Sequence, residues 1–201
     1  MNLFASEENF ISLNLPDADI DYYPNFLSSE KASEYFNIFL KQIEWQQDDI
    51  KLFGKTYAQP RLTALYGDAG ASYSYSGITM FPRPMFSELI QLKQAIEKVT
   101  HQKFNVVLLN LYRDGRDSNG WHSDDEKELG INPIIASVSL GIERTFQFKH
   151  KQNLNVRRNL ILQEGSLLVM KGNTQHFWKH QIAKTKKIIS PRINLTFRLI
   201  I

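Results

Sequence analysis

The sequence predicts an α+β fold in which helices pack on one face of a double-stranded β-helix, the jelly roll. Three observations predict it. Two amphipathic helical stretches come early in the chain. From residue 104 onward the pattern changes to short apolar runs separated by Gly, Asn and Asp. Helices followed by many mostly antiparallel strands suggest helices laid on a two-layer sandwich, and eight strands in two sheets would make a jelly roll with an open mouth.

The elements follow in chain order. The first 20 or so residues look like an irregular lead-in, so residues 1–25 are read as an N-terminal extension and 26–201 as one domain. Ser28-Ser29-Glu30 looks like a helix start, with a capping hydroxyl and a carboxylate in the first turn. Ala32, Tyr35, Phe36, Phe39 and Ile43 then recur at helical spacing. A second helix is predicted from Phe86 to Val99, with Leu89, Leu92, Ile96 and Val99 as its apolar stripe and Pro82 and Pro84 before it. The expected strands are 104–112, 134–141, 144–150, 159–163, 166–170 and 192–200.

Composition narrows the chemistry. With 42% hydrophobic and 12% aromatic residues, the 201-residue chain can bury a core. It contains no cysteine, which removes disulfides, thiol nucleophiles, thiolate-zinc sites and iron–sulfur clusters, and fits a reducing compartment. No run approaches a membrane span, and MNLFASEENF lacks the basic-then-apolar pattern of a signal peptide. A cytoplasmic location, or a nuclear one in a eukaryote, and a monomeric state are expected. Net charge is only +3, but residues 1–50 carry 10 acidic and 2 basic side chains. The remainder is therefore strongly basic, as suits a polyanionic partner.

His122 and Asp124 form a His-x-Asp pair, and in extended chain residues i and i+2 point to the same side. A third ligand must come from elsewhere, with His176 and His180 both available. Two histidines and one carboxylate on one face of an octahedral metal are the facial triad of non-haem iron(II) oxygenases. Arg192 and Arg198 lie six apart in an alternating strand and share a face with Thr196, while Ile193, Leu195 and Phe197 face away. Buried arginines on such a face need an anion to pair them, unless they meet Asp or Glu across an exposed sheet face.

The stretch NLYRDGRDSNGWHSDDEKELG, followed by PIIASVSLG, GSLLVM, the His180 region and PRINLTFR, resembles the AlkB family of iron(II)/2-oxoglutarate-dependent dioxygenases. The resemblance extends upstream through QPRLTALYGDAGASYSYSG and covers roughly residues 50 to 201. It implies that His122, Asp124 and His180 ligate iron, that Arg192 holds the distal carboxylate of 2-oxoglutarate, and that Arg198 holds the end near the metal. Asn110 and Tyr112 would add hydrogen bonds, and Thr196 would line the pocket. The implied reaction consumes O₂ and 2-oxoglutarate and removes N-alkyl groups, releasing formaldehyde, succinate and CO₂.

Alkylated DNA, or alternatively RNA, is the implied substrate, with N1-methyladenine and N3-methylcytosine as the lesions. Residues 50–100 would include a nucleotide-recognition segment. A base in a duplex must be flipped out to react, so Tyr73 and Tyr75 are candidates to contact it, with Trp121 and Trp178 nearby in sequence. Asp125 and Glu126 could accept from an exocyclic amine, and the resemblance favours Asp125. Phe53, at the tip of a predicted hairpin, is a candidate wedge for the vacated gap. Arg61, Arg113, Arg157, Arg158, Lys184, Lys186 and Lys187 could meet phosphates.

Overall fold

A computed structural model of the protein describes residues 10–52, 54–75, 78–187 and 189–201. The first part comprises β1 (Ile11–Ser12), β2 (Asp19–Tyr23), α1 (Ser29–Gln42), β3 (Asp49–Leu52), β4 (Lys55–Ala58), β5 (Leu62–Gly67), β6 (Tyr73–Tyr75), β7 (Ile78–Met80) and α2 (Ser87–Thr100). There follow β8 (Val106–Tyr112), β9 (Asn119–His122), a 3-10 turn (Lys127–Leu129), β10 (Ile135–Gly141), β11 (Arg144–His150) and β12 (Arg157–Leu162). The chain closes with β13 (Leu167–Lys171), the short α3 (Thr174–Phe177), β14 (Trp178–Ile182) and β15 (Arg192–Arg198).

These strands build two antiparallel sheets. The larger has the order β1-β2-β13-β10-β15-β8-β5, and the smaller β12-β11-β14-β9. Their facing sides meet in a core that includes Leu108, Leu168 and Met170 from the larger sheet and Phe148, Trp178 and Ile182 from the smaller. The other face of the larger sheet is covered by α1 and α2 in a second core. Tyr35, Phe39, Leu89 and Leu92 there meet Val107, Leu109, Ile193 and Leu195. The expected arrangement of helices on one face of a jelly roll is what the chain forms. Strict alternation in β15 divides its side chains between the two cores: Ile193, Leu195 and Phe197 toward the helices, Arg192, Asn194, Thr196 and Arg198 toward the smaller sheet.

Helix α1 starts where the sequence indicates, with the Ser28 hydroxyl accepting from the Lys31 amide. Helix α2 ends at His101 in the left-handed conformation. The Phe104 amide and Lys103 from past that end, and Lys93 from one turn earlier in the helix, all donate to Glu97. Burial alone would raise the Glu97 pKa, but these three donors outweigh it and hold the carboxyl below its ordinary value. The stabilisation from a depressed carboxyl is present above the unfolded pKa of about 4.3 and is lost as pH falls through the folded one. Glu97→Gln is expected to lower stability by about 1–2 kcal/mol at pH 7, with the gap from wild type closing below about pH 4. Urea unfolding at the two pH values measures both.

One expectation is corrected. The sequence reading sets residues 1–25 apart as an irregular extension, yet β2 pairs along its length with β13 inside the larger sheet. Ile20 is fully buried in the core between the sheets, and Tyr23 in the helix-side core. The five residues DIDYY, interrupted by acids, are too short to show their period, and only pairing with β13 reveals it. The predicted hairpin around residue 53 is formed by β3 and β4, with Leu52 opposite Lys55.

Candidate active site

A cavity of about 180 Å³ opens between the two sheets. Its floor is the polar side of β8, β10 and β15, and its opposite wall is β9 and β14. His122 at the end of β9 stands directly across from His180 on β14. Their Nε2 atoms are 3.1 Å apart, and the Asp124 carboxylate lies 3.8 Å from His180 Nε2. All three potential ligand atoms fall within 4.8 Å of one another. Adjacent ligands on a first-row metal at about 2.1 Å are about 3 Å apart, so the cluster is dimensioned for a metal ion.

The surroundings set the protonation that metal ligation requires. His122 Nδ1 lies 2.7 Å from the Gly120 carbonyl and must carry the proton, which leaves Nε2 with a free lone pair. Burial pulls the pKa of His122 down, and it pulls that of His180 to about 3, helped by His122 beside it and opposed by Asp124. Both imidazoles are therefore neutral. Burial would raise the Asp124 pKa, but Arg198 and the two histidines more than offset it and hold the carboxyl well below its usual range. Arg198 Nη2 donates to Asp124 Oδ1 at 2.8 Å, and the Gln175 amide oxygen accepts from the Asp124 backbone N–H at 2.9 Å. His176 lies outside this cluster and contacts Asn132 instead.

Arg192 and Arg198 both reach the cavity from β15, and each is almost wholly buried. Arg192 donates through Nη2 to Ser139, while its Nε and Nη1 have no hydrogen-bond partner among the described residues. It makes no ion pair among the described residues, and its guanidinium lies 5.3 Å from the centre of the Tyr112 ring. Burial lowers its pKa to about 10, still far above neutrality. Among the described residues, Arg198 likewise keeps Nε and Nη1 unpartnered. Two buried guanidiniums with free donors in one cavity are costly unless an anion completes them. The donor set fits a dicarboxylate.

The other predicted residues divide. Asn110, Tyr112 and Thr196 line the cavity, as do Tyr73 and Glu126. Tyr73 is buried against the Arg198 guanidinium and donates its hydroxyl to Glu126 Oε1 at 2.8 Å. Burial, then Asp124, raises the Glu126 pKa. Asp125, the favoured acceptor, points elsewhere: it is exposed and pairs with Lys151. Only one of two successive acids can face the cavity, and it is Glu126. Arg61 is also corrected. It is not a surface cation but is buried, donating to Asn110 Oδ1 at 2.6 Å and to the Ser118 carbonyl.

Trp178 is a core residue bonded to the Pro16 carbonyl, and Trp121 lies under Lys149. Arg113 is tied to Asp117, while Arg157, Arg158, Lys184, Lys186 and Lys187 are exposed. Tyr75 belongs to β6. Phe53 lies outside the described residues. Sequence reasoning gave no role to Gln175, Ser139, Asn194 and Asn119, neutral polar residues that border the cavity or bond its charged side chains.

The sequence model of the 2OG-Fe(II) oxygenase superfamily matches residues 19–198. The chain is 42% identical over 184 residues to the DNA oxidative demethylase ALKBH2 of Bos taurus, covering 88% of this chain and 63% of that protein. The protein of the same name from Homo sapiens is 42% identical over 183 residues, covering 88% and 67%. The alpha-ketoglutarate-dependent dioxygenase alkB homolog 3 of Bos taurus is 41% identical over 191 residues, covering 88% and 64%. This chain thus spans about two thirds of the length of these curated relatives. Among solved structures, that of OsALKBH1 shares the fold at a TM-score of 0.69 and 16% identity, covering 94% of this chain and 99% of the other. The chain belongs to the AlkB family of the 2OG-Fe(II) oxygenase superfamily.

Proposed function

We propose that this protein is an iron(II)- and 2-oxoglutarate-dependent oxygenase that strips alkyl groups from bases of DNA, with N1-methyladenine and N3-methylcytosine as preferred lesions. The observation that carries the reading is one cavity holding both a His-Asp-His cluster and two buried, incompletely bonded guanidiniums. Relatives at about 40% identity bear the name DNA oxidative demethylase, and the basic charge beyond residue 50 suits a polyanion. Among the described residues, no helix is long and apolar enough to cross a membrane. The protein works as a monomer in the cytoplasm, or in the nucleus of a eukaryote.

His122, Asp124 and His180 would hold the iron. Bound there, iron(II) would supply O₂ activation coupled to oxidative decarboxylation of 2-oxoglutarate, the chemistry needed to oxidise an N-alkyl carbon so that it leaves as an aldehyde. The chain's own residues bind and orient. Arg192 grips the distal carboxylate of 2-oxoglutarate through the nitrogens that Ser139 leaves free. Asn110, Tyr112 and Thr196 line that pocket. Arg198 fixes the Asp124 carboxylate and offers its remaining donors toward the metal end. Tyr73 orients Glu126, whose Oε2 is buried without a donor and can accept from the exocyclic amine of a flipped adenine or cytosine. Tyr75 and the Phe53 wedge complete the substrate contacts in this reading.

The test is release of succinate and formaldehyde with iron(II), ascorbate and 2-oxoglutarate. Oligonucleotides carrying N1-methyladenine are compared with unmodified ones, single- and double-stranded. Turnover is expected only with the methylated strand. Succinate without demethylation would redirect the oxygenase to RNA or a protein side chain. Absence of succinate from folded, iron-loaded protein would reject the activity.

A further inference from the structure

Strand β9 carries a bulge at the metal cluster. Asn119 pairs with Ile182 and His122 with His180, so Gly120 and Trp121 together stand opposite the single Gln181. In a regular strand, residues three apart point to opposite faces. One extra residue cancels that alternation and re-aims a side chain. Asn119 and His122 consequently emerge on the same side, and both border the cavity.

The Asn119 side-chain nitrogen lies 3.2 Å from His122 Nε2. That atom is the one facing His180, since Nδ1 is engaged by the Gly120 carbonyl. A half-buried neutral amide therefore stands inside the ligand cluster, although it belongs to no His-x-Asp motif. When a cation takes the His122 lone pair, the amide N–H loses its acceptor and cannot turn its positive end to the cation. An oxygen of an anion entering the same cavity beside His122 is the acceptor that remains within reach.

We propose that Asn119 is a positioning residue, whose amide donates to an oxygen at the keto-acid end of 2-oxoglutarate and holds that end in register beside His122. The inference rests on the iron and 2-oxoglutarate reading of the cavity. It assigns a task to a residue that the triad and the arginine pair leave unused.

The test is an anaerobic titration of the full chain, first with iron(II) and then with 2-oxoglutarate, followed by the visible charge-transfer absorption of a keto acid chelated to iron(II). Asn119→Leu keeps the volume and removes the amide. It is expected to bind iron(II) within about twofold of wild type but to need about tenfold more 2-oxoglutarate, with a displaced absorption maximum. Asn119→Asp keeps the shape and replaces the donor with an anion. It is expected to weaken 2-oxoglutarate further while tightening iron(II), an opposition that a purely structural role does not produce. Melting temperatures check folding, and should Asn119→Leu fold poorly, Asn119→Asp carries the comparison. Wild-type affinity and absorption in the folded variants would overturn the proposal. No absorption in the wild type would instead overturn the reading of the cavity itself.

Discussion

His122→Ala and Asp124→Ala each reduce demethylation by at least about 10³-fold, because a metal held by two remaining ligands is neither retained nor oriented. The two variants part company in stability. His122 is a neutral imidazole that makes no ion pair among the described residues, so its removal leaves the fold close to wild type. Among the described residues, Asp124 is the one carboxylate paired with Arg198, which is itself buried in the floor of the cavity. Asp124→Ala strands that guanidinium in a low-dielectric site, at a cost of about 3–5 kcal/mol. Formaldehyde assays and urea unfolding of both proteins read the two effects separately. Binding of alkylated DNA is expected to survive in His122→Ala, since the base-contacting side of the cavity is untouched. Full activity in either variant would sink the iron assignment.

Arg192→Met raises the 2-oxoglutarate concentration needed for half-maximal rate by about 10²–10³-fold, while the rate at saturation changes far less. The loss corresponds to removing a charge-assisted, two-pronged contact to a carboxylate. Arg192 has no carboxylate partner among the described residues, and burial already lowers its pKa to about 10. The cation therefore costs stability in the free protein, and replacing it with an apolar chain of similar length is expected to leave the melting temperature equal or higher. Added 2-oxoglutarate with a redox-silent divalent metal should raise the wild-type melting temperature and not that of Arg192→Met. Arg192→Lys should fall between the two, since a point charge replaces the fork. An unchanged 2-oxoglutarate requirement in Arg192→Met would remove it from the cosubstrate pocket.

Both helices and the six strands read from the sequence appear within a few residues of their expected limits, because each carries its own period over enough residues to be seen. Strand β15 is the clearest case: its alternation alone separates the arginines from Ile193, Leu195 and Phe197. Strands β9 and β14 were not legible, although they carry the two histidines. NGWH and WKHQI are short, mix polar and aromatic residues, and become strands only by pairing with each other and with β11. The same holds for β2 and β5, whose place in the larger sheet depends on β13 and β8.

By itself the sequence determined the layer order, the His-x-Asp pair, and the shared face of Arg192, Thr196 and Arg198, all of which follow from periods of 2 and 3.6 within one segment. Only the tertiary structure brought His180 rather than His176 beside His122 and Asp124, turned Glu126 rather than Asp125 to the cavity, buried Arg61 against Asn110, and turned Asn119 toward His122. Those outcomes depend on the register between strands distant in the chain and on a one-residue bulge. Register is set by the sum of contacts across two faces at once, and no local period of one strand encodes which residue of another it will meet.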